Sequence, residues 1–250
     1  MAWLSKLAVA VVVSGLAASG YADSVLGLYG GAGGWSQELS GEVVSDAVTV
    51  DVQEDLGIEE QTNRFYYAGA EHGVPVLPNF RSQYSELSSS GRNQLDEPIE
   101  FNGSPFPVNT DVATDVDLIQ ADAVLYYEVV DNALSFDVGL GARYMEGEMS
   151  VASASSSSRA EFQSILPLLY SRLRADLPFS GFWIGAQALA LAYDGDQLFD
   201  TNAQLGWDSA VGVGAELGWR TFRMDVNAFD QVEAADVNIN GLYAALNFHF

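Results

Sequence analysis

Between residues 24 and 250 the chain keeps returning to one pattern, an apolar residue at every second position, and nothing else constrains its fold as strongly. In "ALSFDVGLGARYMEGE", residues 133–148, Leu134, Phe136, Val138, Leu140, Ala142 and Tyr144 alternate with Ser135, Asp137, Gly139, Gly141 and Arg143. In "AVGVGAELGWR", Val211, Val213, Ala215, Leu217 and Trp219 alternate with Gly212, Gly214, Glu216, Gly218 and Arg220. From Ile119 to Val129 the apolar positions are 119, 121, 123, 125, 127 and 129. A period of two sends successive side chains to opposite faces, which is the signature of a strand with one apolar face. No stretch after Asp23 holds the helical period of 3.6, and none approaches the roughly 20 continuous apolar residues of a spanning helix. The chain is all-β, and any passage through a membrane must be made by strands.

Ten strand segments are expected: 24–40, 64–74, 80–90, 111–130, 133–148, 160–177, 182–193, 198–207, 210–228 and 236–250. Their connections alternate in kind. "PVLPN", "DN", "PFSG" and "DS" are tight, whereas "GEVVSDAVTVDVQEDLGIEEQTN", "GRNQLDEPIEFNGSPFPVNT" and "SVASASSSSR" are long, polar and expected to be mobile. Short connections near Gly195 and Gln231 break the trend and leave eight or twelve strands as alternatives. Short turns at one end and long loops at the other are the habit of an up-and-down barrel.

Alternation alone does not say which face is inside. A lipocalin-like barrel turns its apolar face inward around a ligand, and a membrane barrel turns it outward to lipid. The polar face carries Gly139, Gly141, Gly212, Gly214 and Gly218 among isolated charges. Glycine weakens a strand facing water, but a lumen of eight to ten strands has room only for small or carefully fitted side chains. Tyr144, Trp207, Trp219 and Phe248, near strand ends, suit the aromatic girdles of a membrane barrel. The expected fold is therefore an antiparallel up-and-down transmembrane β-barrel of about ten strands, with its apolar face outward.

The two ends agree with this. Residues 1–22 combine Lys6, an apolar run from Leu7 to Leu16 and small residues at Gly20 and Ala22, the layout of a signal peptide cleaved before Asp23, which leaves 23–250 as one barrel domain. The last residues place Leu242, Ala244, Leu246, Phe248 and Phe250 on one face, so the final strand is expected to close against the first. The sequence has no cysteine, which excludes disulfides and thiolate chemistry. Its formal charge is −24, and beyond Lys6 every basic residue is arginine. Such a chain lacks the basic footprint that nucleic-acid binding needs.

The terminal alternation ending in Phe250 resembles the signal that the barrel-assembly machinery reads in outer-membrane proteins. More widely, "LGLYGGAGGW", "EHGVPVLPNFRSQYSELSSSG", "DVDLIQADAVLYYEVVDN", "LPLLYSRLRADLPFSG" and "ELGWR" resemble segments of an uncharacterised family of Gram-negative outer-membrane β-barrel proteins. That family is defined by sequence and location. The resemblance implies the outer membrane as location, with lipid, lipopolysaccharide and the assembly machinery as partners, and leaves the oligomeric state open.

Little in the sequence points to catalysis. His72 precedes the tight turn "VPVLPN" and His249 is next to last, so both fall at the turn end, away from the long loops where a rim enzyme would act. "SASSSS" at 153–158 has the composition of a flexible loop. The acidic stretch with Asp51, Glu54, Asp55, Glu59 and Glu60 lacks the ordered spacing of a calcium loop and reads as solvated. No cofactor or metal is expected. Parity points Asp122, Glu128, Asp137, Arg143, Arg172, Arg174, Asp176, Glu216 and Arg220 into the lumen. Confined charge needs partners, so these are expected to form an ion-pair network, with Asp137 and Arg174 as a cross-strand pair. The functional expectation is a structural envelope protein or a narrow gated pore. A surface binding protein acting through acidic external loops is the alternative, with a rim enzyme third.

Overall fold

The computed structural model describes residues 26–45, 48–74, 76–193, 196–226 and 234–250. The expected signal segment, and the connections around Gly195 and Gln231, lie outside them in whole or in part. Among the described residues the strands are β1 (Leu26–Ser45), β2 (Val48–Asp51), β3 (Gln61–His72), β4 (Asn79–Gln94), β5 (Ile99–Phe101), β6 (Ser104–Phe106), β7 (Asp111–Val130), β8 (Leu134–Ala152), β9 (Ser157–Asp176), β10 (Phe182–Tyr193), β11 (Asp196–Asp208), β12 (Val213–Val226) and β13 (Ala234–His249). Ten of these, all but β2, β5 and β6, pair antiparallel in chain order to make a wall. β13 returns to β1, from Tyr29 opposite His249 to Val44 opposite Ala234, and closes it. The ring is a ten-stranded up-and-down barrel, as the alternation predicts.

Apart from a register shift between Glu128 and Val130 at the turn end of β7, the wall strands keep one parity along their described residues, yet the chemistry of the two faces changes halfway. On β8 the outer residues Leu134, Val138 and Leu140 are exposed, and the inner Asp137 and Arg143 are buried. Beyond Tyr144 the outer positions become Glu146 and Glu148, while the inner ones become Met145 and Val151, both fully buried. β7 crosses over at the same level: outer Leu125 and Tyr127 give way to Asp117 and Asp115, and inner Asp122 gives way to Leu118 and Val112. The half nearest the turns is a lipid-facing barrel with a polar inside. The half nearest the loops is built like a water-soluble barrel, acidic outside and apolar inside. About ten residues per strand, tilted near 40°, give the lipid-facing band a height of roughly 25 Å. Tyr66, Tyr84, Tyr144 and Trp219 ring its loop side, and Phe80, Tyr127, Trp207 and Phe248 its turn side.

The long connections depart from expectation. The first two fold into a roof, and the third, 150–159, is mostly paired strand of β8 and β9. β2 pairs with β1 beyond the end of β3, with Glu42 opposite Asp51. β3 reaches β4 only from Phe65 opposite Ser85 to Ala70 opposite Phe80, whereas β4 pairs with β7 along its whole length. Residues 52–60 repair the gap above. Ile58 bridges Gly91, the Ser89 hydroxyl donates to the Glu59 carbonyl at 2.6 Å, and Asn93 Nδ2 donates to the Glu54 carbonyl at 2.6 Å. Gly57, at φ +65°, and Gly91 lie backbone to backbone here, and a Cβ on Gly91 would overlap the Gly57 carbonyl. The β5–β6 hairpin folds in the next loop. Val52, Leu56, Leu95, Ile99, Phe101 and Phe106 are all buried, so burial of apolar side chains holds these segments in place.

This arrangement sets the response to charge on the outer wall. Leu169→Arg, in the middle of the lipid-facing band of β9, is expected to cost about 2–4 kcal/mol in denaturant unfolding from lipid vesicles. Gln163→Arg, on the same face of the same strand but above the band, is expected to change stability by less than about 0.5 kcal/mol.

Candidate functional site

Among the described residues, charged and hydrogen-bonding side chains converge inside the barrel in the polar half of the lumen. It holds a cavity of about 280 Å³ that reaches the turn rim at Asp131, Asn132 and His249. Its walls follow a local rule: a large ring stands opposite a glycine on the neighbouring strand. Tyr29 faces Gly69, Tyr67 faces Gly31 and Phe65 faces Gly33 across β1 and β3. Trp183 faces Gly206 across β10 and β11, and Tyr243 faces Gly218 across β12 and β13. A Cβ on Gly31 would stand 2.6 Å from Tyr67 Cζ. The glycines make seats for rings that the narrow lumen could not otherwise hold.

Arginines lie on two of these rings and on Trp35. The Arg81 guanidinium is 4.6 Å from the centre of Tyr67, Arg174 is 4.3 Å from Trp183 and Arg220 is 4.4 Å from Trp35. Stacking of this kind presents the planar cation edge-on to acceptors. Arg174 Nη2 donates to Asp176 at 2.7 Å and to Asp208 at 2.8 Å. Near the rim, the Tyr126 hydroxyl donates to Glu71 Oε1 at 2.8 Å, His249 Nε2 lies 3.8 Å from Glu71 Oε2, and Asn79 Nδ2 donates to Glu128 Oε1 at 3.4 Å.

The cavity ends against a buried ionic bar. Arg143 Nε and Nη2 donate to the two carboxylate oxygens of Asp122 at 2.6 and 2.8 Å, and Nη2 also reaches Asp200 Oδ2 at 2.6 Å. Arg220 Nε donates to Asp200 Oδ1 at 2.8 Å. These four residues are at most 6% exposed. They run from β7 and β8 to β11 and β12, and β7 and β12 are five strands apart in the ten-stranded ring, so the bar spans the lumen. Its two arginines and two aspartates balance in charge. Directly beyond it the Phe222 ring lies 5.7 Å from the Arg143 guanidinium, and the apolar interior of the loop half begins.

Of the residues expected in the lumen, Asp122, Arg143 and Arg220 meet in the bar, and Arg174 pairs with Asp176. Glu216 is buried facing the Tyr67 hydroxyl, and Glu128 stands at the rim beside Asn79. The expected pairing of Asp137 with Arg174 is not found: Asp137 lies opposite Arg172, and Arg174 opposite Ser135. Register on β8 and β9 is set from the loop-end hairpin, where Ala152 faces Ser157, and the stagger of a tilted barrel leaves the tight turns at different heights. Asp200, the centre of the bar, was not among the expected residues although it shares the inward parity of Leu198 and Asn202 on β11. Arg81, Glu71 and Asp208 also line the polar cavity and were not among the expected residues.

The other candidates resolve locally. Asp51 Oδ1 accepts from the backbone of Gln53 and Glu54, and Asp55 Oδ2 accepts from the Asp51 nitrogen, so these two carboxylates bind their own turn, while Glu60 accepts from the Ser36 hydroxyl on β1. His72 Nε2 is 3.2 Å from the Pro78 carbonyl. Among the described residues no group of three or more histidine, aspartate and glutamate side chains is arranged to hold a metal ion.

No family model matches the chain, and no curated protein matches its sequence. Among solved structures it is similar to the transport unit of the autotransporter AIDA-I from Escherichia coli, at 10% identity and a TM-score of 0.42, covering 93% of this chain and 92% of that one. It is also similar to Neisserial surface protein A, at 11% identity and a TM-score of 0.35, covering 91% and 98%. A third is Ail, the attachment invasion locus protein of Yersinia pestis, at 9% identity and a TM-score of 0.36, covering 89% and 98%. Each is a likeness in barrel architecture and says nothing of what this chain does.

The bar predicts an uneven response to charge removal. Asp200→Ala leaves two buried arginines short of a partner and is expected to cost about 3–5 kcal/mol in denaturant unfolding. Arg223→Ala breaks an exposed pair with Asp236, 3.2 Å apart, and is expected to cost no more than about 1 kcal/mol.

Proposed function

We propose that this protein is a closed, non-conducting barrel of the outer membrane with a structural and surface-presenting role and no enzymatic activity. The observation that carries the reading is the ionic bar of Asp122, Arg143, Asp200 and Arg220 lying directly beneath an apolar interior. An ion entering from the turn rim meets a charge-neutral layer of paired arginines and aspartates, and past it a cavity that shows no polar surface to replace its hydration shell. Neither histidine supports acid–base chemistry at the loop rim. In this reading Asp137, Arg172, Arg174, Asp176, Glu128 and Glu216 are lumen packing rather than pore lining.

The same proposal assigns residues 1–22 to a cleaved export signal and the loop end to the cell exterior. Lipid and lipopolysaccharide surround the apolar band. The outward run of Leu242, Ala244, Leu246, Phe248 and Phe250 is the segment offered to the assembly machinery.

A second reading, a surface binder, draws on a different observation. Asp117, Glu148 and Glu161 stand opposite one another across β7, β8 and β9, forming an acidic row on the rigid outer wall of the loop half. Arg159, 3.1 Å from Glu148 and 3.7 Å from Glu161, offsets it in part. Such a row suits a cationic surface partner.

Planar-bilayer recording of the refolded barrel separates the readings. The wild type is expected to give no discrete conductance steps. Arg143→Ala is expected to stay silent as well, because the apolar layer above the bar remains. Steps from folded wild-type protein would overturn the closed-barrel proposal. Loss of cell-surface adhesion on changing Glu148 and Glu161 to glutamine, with conductance still silent, would favour the binder.

A further inference from the structure

The apolar interior of the loop half is incompletely filled. It holds a second cavity, of about 100 Å³, bounded by residues of β1, β4, β5, β7, β8, β9, β12 and β13, with Val52 between β2 and β3. No polar surface faces it. Phe222, resting over Arg143, forms its floor, and Val52 and Phe101, from the two folded loops, form its roof. Met149 and Met224 contribute flexible, polarisable side chains to its wall. Asp117 and Glu148 border it too, but on outward parity and without polar surface toward the space.

Empty space of this size inside a packed interior is costly, because the lining atoms lose contacts on one side. Water does not compensate, since a water molecule needs two to four polar partners and none is offered here. Dry, apolar cavities of this order do bind compact apolar molecules such as benzene. Among the described residues that bound the cavity, Val52 and Phe101 of the roof lie outside the continuous strand wall, and short loop segments of this kind open more readily than a closed sheet.

We propose that this cavity is a binding site for a small, uncharged, apolar molecule of about the size of a six-carbon ring. A ligand with a charged or strongly hydrogen-bonding group is excluded, because no partner in the lining could replace its water. The site is separate from the polar cavity on the other side of the ionic bar and does not depend on the barrel being closed to ions.

Benzene titrated into the full barrel in lipid nanodiscs, followed by the ε-methyl resonances of Met149 and Met224, tests this. Saturable shifts of both methyls in the wild type are expected. They should be lost in Ala160→Phe, which fills the cavity from β9, and in Ala235→Leu, a milder filling from β13 that keeps the test intact should the larger side chain prevent folding. A linear, non-saturating drift that is the same in wild type and filled variants would mean partition into lipid and would overturn the proposal. Saturable binding that survives in a folded, filled variant would place the molecule elsewhere and overturn it equally.

Discussion

A strand in a closed sheet cannot turn over. Once the pleat of β8 points Arg143 inward it must point Met145, Gly147 and Met149 inward too, because parity along an unbroken strand is fixed by the backbone. The wall nevertheless passes from a lipid environment at one end to an aqueous one at the other. The sequence meets this by exchanging the chemistry of the two faces while leaving the geometry alone. Outer leucines become glutamates and aspartates, and inner charges become methionine, valine and phenylalanine. Everything else follows from where that exchange occurs: the height of the aromatic ring formed by Tyr66, Tyr84, Tyr144 and Trp219, the position of the polar cavity, and the need for a roof over the apolar half.

The ionic bar sits at the exchange level. A buried ion pair gains little net stability over well-packed apolar residues, since desolvation offsets much of the attraction. What the bar of Asp122, Arg143, Asp200 and Arg220 supplies is directional matching, within the neighbouring pairs β7–β8 and β11–β12 and, through Arg143 and Asp200, across the lumen from β8 to β11. Bidentate contact of Arg143 with Asp122, and of Arg220 with Asp200, is satisfied in only one strand register. A slip by two residues would keep the apolar and polar faces correct yet strand four charges. The alternation selects the face, and the bar selects the register.

Most of the wall is legible in the sequence because pleat parity is a local property, readable from any six or eight residues. The outward faces of β8 and β12 and the inward direction of Asp122, Arg143 and Arg220 come from alternation alone. Register is not local. Asp137 meets Arg172 rather than Arg174 because of a hairpin some fifteen residues away, and Asp200 becomes central only through strands that the chain brings together late. The roof was hidden for another reason. Val52, Leu56, Ile58, Leu95, Ile99 and Phe101 are spread among acids, prolines and asparagines at no fixed period, so the stretches read as solvated loops. The inversion itself was visible in "ARYMEGEMSV", where Met145, Met149 and Val151 take over the face that Arg143 began.

The glycine seats carry a consequence for heredity. Where Tyr67 lies on Gly31, or Trp183 on Gly206, neither partner can change freely. A side chain on the glycine collides with the ring, and a smaller residue in place of the ring leaves an arginine without its platform. Viable change at such a place comes as a paired exchange, glycine and ring trading strands or shrinking and growing together. In descendants of this barrel, drift at one position is therefore recorded at a second position far along the chain. Tyr29 and Gly69, forty residues apart, would carry a shared history although they never adjoin in the gene.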